Sequence, residues 1–131
     1  MIGLDTNVVA RYLLHDDPAQ TRIAVEFINS LSPAAPGFLS LVVIVELVWV
    51  LQDSYRLRKD DIIEMLDSLL RSKELVVERA DIVWQALRKF RTSRTDFPDC
   101  LIERCGHGAG CQHTVTFDRQ AANAAGMKLL S

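Results

Sequence analysis

Short apolar runs along this chain alternate with stretches in which apolar residues recur every three or four positions, the alternation expected of strands followed by helices. Ile2 to Leu4 is a short buried strand, and Asp5 stands where it stops. Thr6 and Asn7 are helix-starting types, and VVARYLL continues with helical spacing. HDDP breaks that pattern; Asp17 can cap, Pro18 suits a first helical position, and a helix runs to Leu31 with Ile23, Phe27 and Leu31 on one face. Phe38-Leu39 is a second strand, and Ser40 caps LVVIVELVWVLQDSY, a helix apolar almost all round. Such a helix is buried on more than one side or faces a partner. Leu57 to Lys73 is amphipathic, and Leu75 to Val77 is a third strand. Asp81 caps a helix through Phe90, and Asp96 caps another that holds Pro98 in its first turn and runs to about Gly108. His113 to Phe117 is a fourth strand ending in Asp118; an Ala-rich helix stopped by Gly126 leads to a fifth, Met127 to Leu130. Strands alternating with helices, without linker, repeat or low-complexity stretch, predict an α/β fold, a three-layer α/β/α sandwich on a short parallel sheet of about five strands.

At 131 residues the chain is expected to form a single domain, and a hydrophobic share of 49% suits a sheet covered on both faces. The net charge of −2 gives no global basic signature, so any nucleic-acid contact must be local. No apolar run reaches the length of a membrane span and the chain opens on a strand, which predicts a soluble, cytoplasmic protein without a signal peptide. Cys100, Cys105 and Cys111, interleaved with His107 and His113, lack the tight pairs of a zinc site and are expected to be small buried thiols. The basic run Arg88, Lys89, Arg91 and Arg94 closes a helix, where it complements the helix dipole.

Four acids stand apart. Asp5 and Asp118 each end a strand and begin a helix, where ligands of open parallel sheets bind, although each is equally a helix cap. Asp99 lies in a first turn, where backbone N–H groups favour an anion. Glu46, inside VVIVELVWV, is expected to be buried and to need a cation, a hydrogen-bond partner or a proton; a buried Arg is the plain structural answer, but no Lys or Arg lies within a helical turn. Carboxylates without local partners suit a hard divalent cation, which takes oxygen ligands and activates water. No Gly-rich phosphate loop, nucleophile elbow or suitably placed His or Cys competes.

MIGLDTNVVARYL, SLVVIVELVWVL, DFPDCLIERC and TVTFDRQAA resemble, in order and spacing, the blocks of PIN-domain ribonucleases, and most nearly the VapC-type toxins of toxin–antitoxin pairs. The resemblance spans nearly the whole chain and implies a sheet order of 3-2-1-4-5. It matches Asp5, Glu46, Asp99 and Asp118 to the family's acidic quartet around Mg²⁺ or Mn²⁺, and Asn7 and Thr116 to the small polar positions beside it. Thr6 would orient Asp5 or cap the helix; Asp96 matches the first acid of the DF-x-D block, where a capping role is expected. Pro98 and Thr95 depart from the family's usual small residues before Asp99.

The activity implied is metal-assisted hydrolysis of RNA phosphodiesters, with inhibition by a cognate antitoxin and a homodimeric state. Arg91, Arg94, Arg104 and Arg119 are the cations nearest the acids in sequence, as substrate contacts or as plain surface charge. Trp49, Val50, Tyr12 and Leu13 would line partner surfaces, with ordinary core packing as the alternative. A PIN-like module that binds RNA or protein without cutting is the rival. A phosphoryl-acceptor receiver domain fits less well, because Asp5 stands alone, strand three ends in Glu78 and Lys128 lies inside the last strand.

Overall fold

The computed structural model describes residues 1–131. They divide into two compact units, 1–78 and 79–131.

In the first unit β1 (Ile2–Gly3), α1 (Thr6–Leu14), α2 (Pro18–Asn29), β2 (Gly37–Leu39), α3 (Leu41–Trp49), α4 (Lys59–Arg71) and β3 (Leu75–Val77) follow in order. The strands form one sheet in the order β1-β2-β3, parallel throughout, with Gly3 opposite Phe38 and Phe38 opposite Val76. Leu4, Val9, Leu39, Ile44, Leu47, Leu51, Ile62 and Leu66 are buried core residues. Gly37 is dictated by this packing, since a Cβ there would lie 3.0 Å from both the Leu4 and Leu31 methyls. The expected caps are present: Asp17 accepts from the Gln20 N–H at 3.1 Å and Ser40 from the Val43 N–H at 3.2 Å. A further cap comes from β3, where the Glu78 carboxylate accepts the Leu41 N–H at 2.8 Å and so fastens the start of α3 to the end of the strand.

The helix expected to run on through Tyr55 ends at Trp49 and widens into a π-helical turn, Val50–Ser54. Its longer loop, closed by the Tyr55 N–H on the Val50 carbonyl at 3.2 Å, accommodates one extra residue per turn and rotates the following side chains. Helix α4 begins at Lys59, two residues later than predicted.

The second unit contains α5 (Ala80–Thr92), α6 (Phe97–Gly108), β4 (Val115–Thr116), α7 (Arg119–Ala124) and β5 (Lys128–Leu129). β4 and β5 pair in parallel, Val115 opposite Lys128. Both parts of the expected strand order, 3-2-1 and 4-5, are thus present, each within its own unit. Helices α5 and α6 pack through Val83, Ala86, Leu87 and Phe90 against Phe97, Cys100 and Leu101, with the Phe90 and Phe97 rings edge to face at 5.8 Å. Gly106 permits close approach on α6, where a Cβ would lie 2.6 Å from the Thr114 hydroxyl. Ala121, Ala125 and Met127 form a small cluster under α7.

Asp81 is not the cap of α5. The capping position is Arg79, in the left-handed region at φ 47°, and its guanidinium bonds the Asp81 carboxylate at 3.1 Å from within the first turn. Of the three thiols only Cys100 is buried; Cys111 is exposed. No helix is long and apolar enough to cross a membrane.

Candidate active site

Asp5 sits just beyond β1 as the N-cap of α1, and its Oδ1 accepts the Thr6 N–H at 2.7 Å. Asp5 also lines a cleft of about 310 Å³ together with Thr6, Asn7, Arg11, Glu46 and Tyr55. Residues from α1 and α3 therefore meet on one concave surface inside the first unit.

Glu46 is exposed, which corrects the expectation of a buried carboxylate. The run VVIVELVWV is apolar, yet α3 buries only the face carrying Ile44, Leu47 and Val48, and Glu46 projects from the other. It makes no hydrogen bond or ion pair, so no buried Arg accounts for it. Thr6 lies beside it with 5% exposure, and its Oγ1 has no hydrogen-bond partner. A buried hydroxyl without a partner is uncommon and marks a place where a ligand or water belongs. The donors offered by this cleft are carboxylate and hydroxyl oxygens, the set suited to Mg²⁺ or Mn²⁺.

Arg11 is the one cation of the cleft. Its Nε donates to Gln20 at 2.7 Å, and its Nη1 to the Tyr55 hydroxyl at 3.1 Å and to Asp16 at 3.3 Å. Tyr55 in turn donates to Asp16. The shared hydrogen bonds pull the three groups apart in acidity: the phenol lowers the Asp16 pKa and raises that of Arg11, while Asp16 raises that of Tyr55. Sequence inspection missed this cluster, because Arg11, Asp16 and Tyr55 meet only through the turn at His15 and the π-helical turn.

In the second unit Asp99 lies in the first turn of α6, half-buried, and accepts from the Thr95 hydroxyl at 3.2 Å. Thr95, a departure from the family pattern, is itself 5% exposed, so its hydroxyl has a fixed direction. Asp96 occupies the cap position of α6 but makes no side-chain cap bond, contrary to its expected capping role. Asp118 caps α7, accepting from Gln120 at 2.8 Å and Ala121 at 3.3 Å. Thr116 supports that turn by accepting the Asp118 N–H at 3.0 Å. The Gln120 amide donates to the Arg94 carbonyl at 2.6 Å, tying the start of α7 to the loop that precedes α6.

Arg91, Arg94 and Arg119 are exposed. Arg104 instead holds Glu103 in a two-pronged contact, Nε at 2.6 Å and Nη2 at 3.0 Å. Glu103 is almost buried and also accepts from Lys89 at 2.8 Å; the guanidinium first and the ammonium next bring its pKa down to about 2. Neither unit by itself gathers three or more His, Cys, Asp or Glu side chains closely enough to hold a metal ion; Asp5 and Glu46 belong to the first, Asp99 and Asp118 to the second.

The family profile of the PIN domain matches residues 2–127, and the chain belongs to that family. It is similar to the VapC ribonuclease of Aquifex aeolicus (strain VF5), 27% identical over 118 residues that cover 89% of this chain and 87% of that protein.

Proposed function

We propose that this protein is a VapC-type toxin, a divalent-metal-dependent endoribonuclease in which both units act as one PIN domain in the cytoplasm. The observation that carries the reading is the first-unit cleft, where Asp5 and Glu46 flank the partnerless buried hydroxyl of Thr6. The family match across 2–127 and the similarity to a named ribonuclease support extending the site to Asp99 and Asp118.

Asp5 and Glu46, with Asp99 and Asp118, would hold Mg²⁺ or Mn²⁺, which would supply Lewis acidity and neutralise charge on the phosphoryl group. Thr6 fixes Asp5 through its backbone N–H, and Asn7 lines the same cleft. Thr95 fixes Asp99, and Thr116 fixes the turn that carries Asp118. Asp96, uncommitted as a cap, is available to the approach to Asp99. Asp99 or Asp118 orients a water for in-line attack on phosphorus; the P–O3′ bond breaks, leaving a 5′-phosphate and a 3′-hydroxyl. Arg91, Arg94 and Arg119 offer phosphate contacts, which position a strand without reading its bases, and recognition falls to an exposed loop or stem shape. Arg104 has its Nε and Nη2 on Glu103.

Two surfaces suit protein partners. A groove of about 430 Å³, lined by Leu4, Val8, Ile23 and Phe27 among others, fits an antitoxin segment. The exposed Val42 and Trp49 of α3 suit a second copy of the chain.

The decisive test incubates the purified protein with structured RNA in Mg²⁺ or Mn²⁺ and identifies the product ends. Cleavage giving 5′-phosphates, absent in Asp5→Asn while RNA binding persists, is expected. Binding without cleavage by the wild type in either metal would instead establish the non-cleaving module.

A further inference from the structure

We infer that Arg11 contacts a backbone phosphate of the RNA strand seated at the Asp5–Glu46 cleft, with Asp16, Tyr55 and Gln20 fixing its guanidinium as a positioning scaffold. This rests on the nuclease reading above and adds a substrate contact to it. The four arginines selected by sequence proximity all lie in the second unit. Arg11 is the cation that lines it.

Arg11 lines the cleft with Asp5 and Glu46 but bonds neither; its carboxylate partner is Asp16. Nε is held by Gln20, and Nη1 by Asp16 and Tyr55, while Nη2 makes no hydrogen bond. The scaffold therefore keeps the cation at the cleft wall without neutralising the acids a metal would require. It also leaves the Nη2 N–H donors for an anion. Guanidinium groups suit phosphate because their donors are planar and already ordered, and here the side chain's rotamer freedom is given up before substrate arrives. The π-helical turn explains how Tyr55 comes to be there. Its wider loop brings the phenol from the end of α3 back over α1, to Arg11 and Asp16.

The test is fluorescence anisotropy of the full chain with a fluorescein-labelled single-stranded RNA, in Ca²⁺ and over a range of KCl. Loss of one phosphate contact lowers the slope of log affinity against log salt by about 0.7 for a single strand, and Arg11→Gln should show that drop with affinity about tenfold weaker at low salt. Arg11→Lys should restore the slope, since it keeps the charge and provides a folded comparison should Arg11→Gln be unstable. Lys73→Gln, which removes an exposed charge outside the cleft, should leave the slope unchanged. A wild-type slope in Arg11→Gln, or an equal drop in Lys73→Gln, overturns the inference. Cleavage of the same RNA in Mg²⁺ separates it from its premise. An Arg11-dependent slope without cleavage in Mg²⁺ or Mn²⁺ sinks the nuclease reading and keeps the contact, whereas cleavage with an Arg11-independent slope does the reverse. Failure of the wild type to bind RNA overturns both.

Discussion

On α3, Val42, Glu46 and Trp49 follow at intervals of four and three, and all three are exposed, while Ile44, Leu47 and Val48 between them are buried. Glu46 thus projects into solvent and not into the core. Glu46→Gln should leave stability within about 0.5 kcal/mol of wild type, as for most exposed positions. Its RNA cleavage in Mg²⁺ should fall about a hundredfold, the scale of losing one electrostatic donor at a reacting centre. Urea unfolding and a cleavage time course check the two halves; an active variant removes Glu46 from the metal site. Thr95 is the converse case, buried and acting through Asp99. Thr95→Val should lower cleavage between about tenfold and a hundredfold, as losing a residue that orients a ligand does, and Thr95→Ser should recover it. Recovery by Ser distinguishes hydroxyl orientation from packing. Asp5 and Asp118 stand out in one dimension as acids at strand ends, and Glu46 as an acid within an apolar run. Thr95 does not, since a threonine four residues before an acid looks like any other loop residue.

At the scale of elements, signals contained within a few residues were legible and signals set by distant chain were not. The Asp17 and Ser40 caps are local and were found. The start of α5 was misplaced because a left-handed Arg79 has no marker in sequence, and the π-helical turn has none either. The tie between α5, α6 and the end of α7 was likewise hidden. Lys89 on α5 donates to Glu103 on α6 and to the Ala125 carbonyl at 2.7 Å, and Arg104 completes the set. Glu103 titrates near 2 in the folded protein against an ordinary 4.5, a depressed carboxylate. Its contribution is therefore fully present above about pH 4.5 and is lost as pH falls through about 2. The shift corresponds to roughly 3 kcal/mol at most. Glu103→Gln should be less stable than wild type by about 2 kcal/mol at pH 7, since it leaves two partly buried cations unpaired. Urea midpoints measured from pH 7 to pH 2.5 should show that gap narrowing as acid removes the same interaction from the wild type. A gap constant with pH would mean that packing, not charge, accounts for the loss.

For the whole molecule, the apolar helix posed a question that one chain answers only in half. A segment as apolar as Leu41 to Leu51 was expected to be buried on several sides or to meet a partner. The chain buries its inner face, but Trp49 remains 52% exposed and Val42 75% exposed. Core packing therefore does not account for Trp49. Large apolar side chains exposed along one face of a helix mark an interaction surface more often than they mark solvent. The homodimer in the proposed function would cover them, and Trp, among the residue types most enriched in binding hot spots, would be its anchor. Placing a charge there should oppose association without disturbing the fold, because Trp49 contributes little to the core of its own chain. In size-exclusion chromatography with light scattering, the wild type should elute as a dimer at micromolar concentration and Trp49→Glu as a monomer with unchanged circular dichroism. A monomeric wild type would leave the outer face of α3 to another partner. Because Glu46 lies on that same face, four residues from Val42 and three from Trp49, dimerisation should also shape the rim of the proposed metal site, and a monomeric Trp49→Glu should cleave RNA more slowly while Arg11-dependent binding persists.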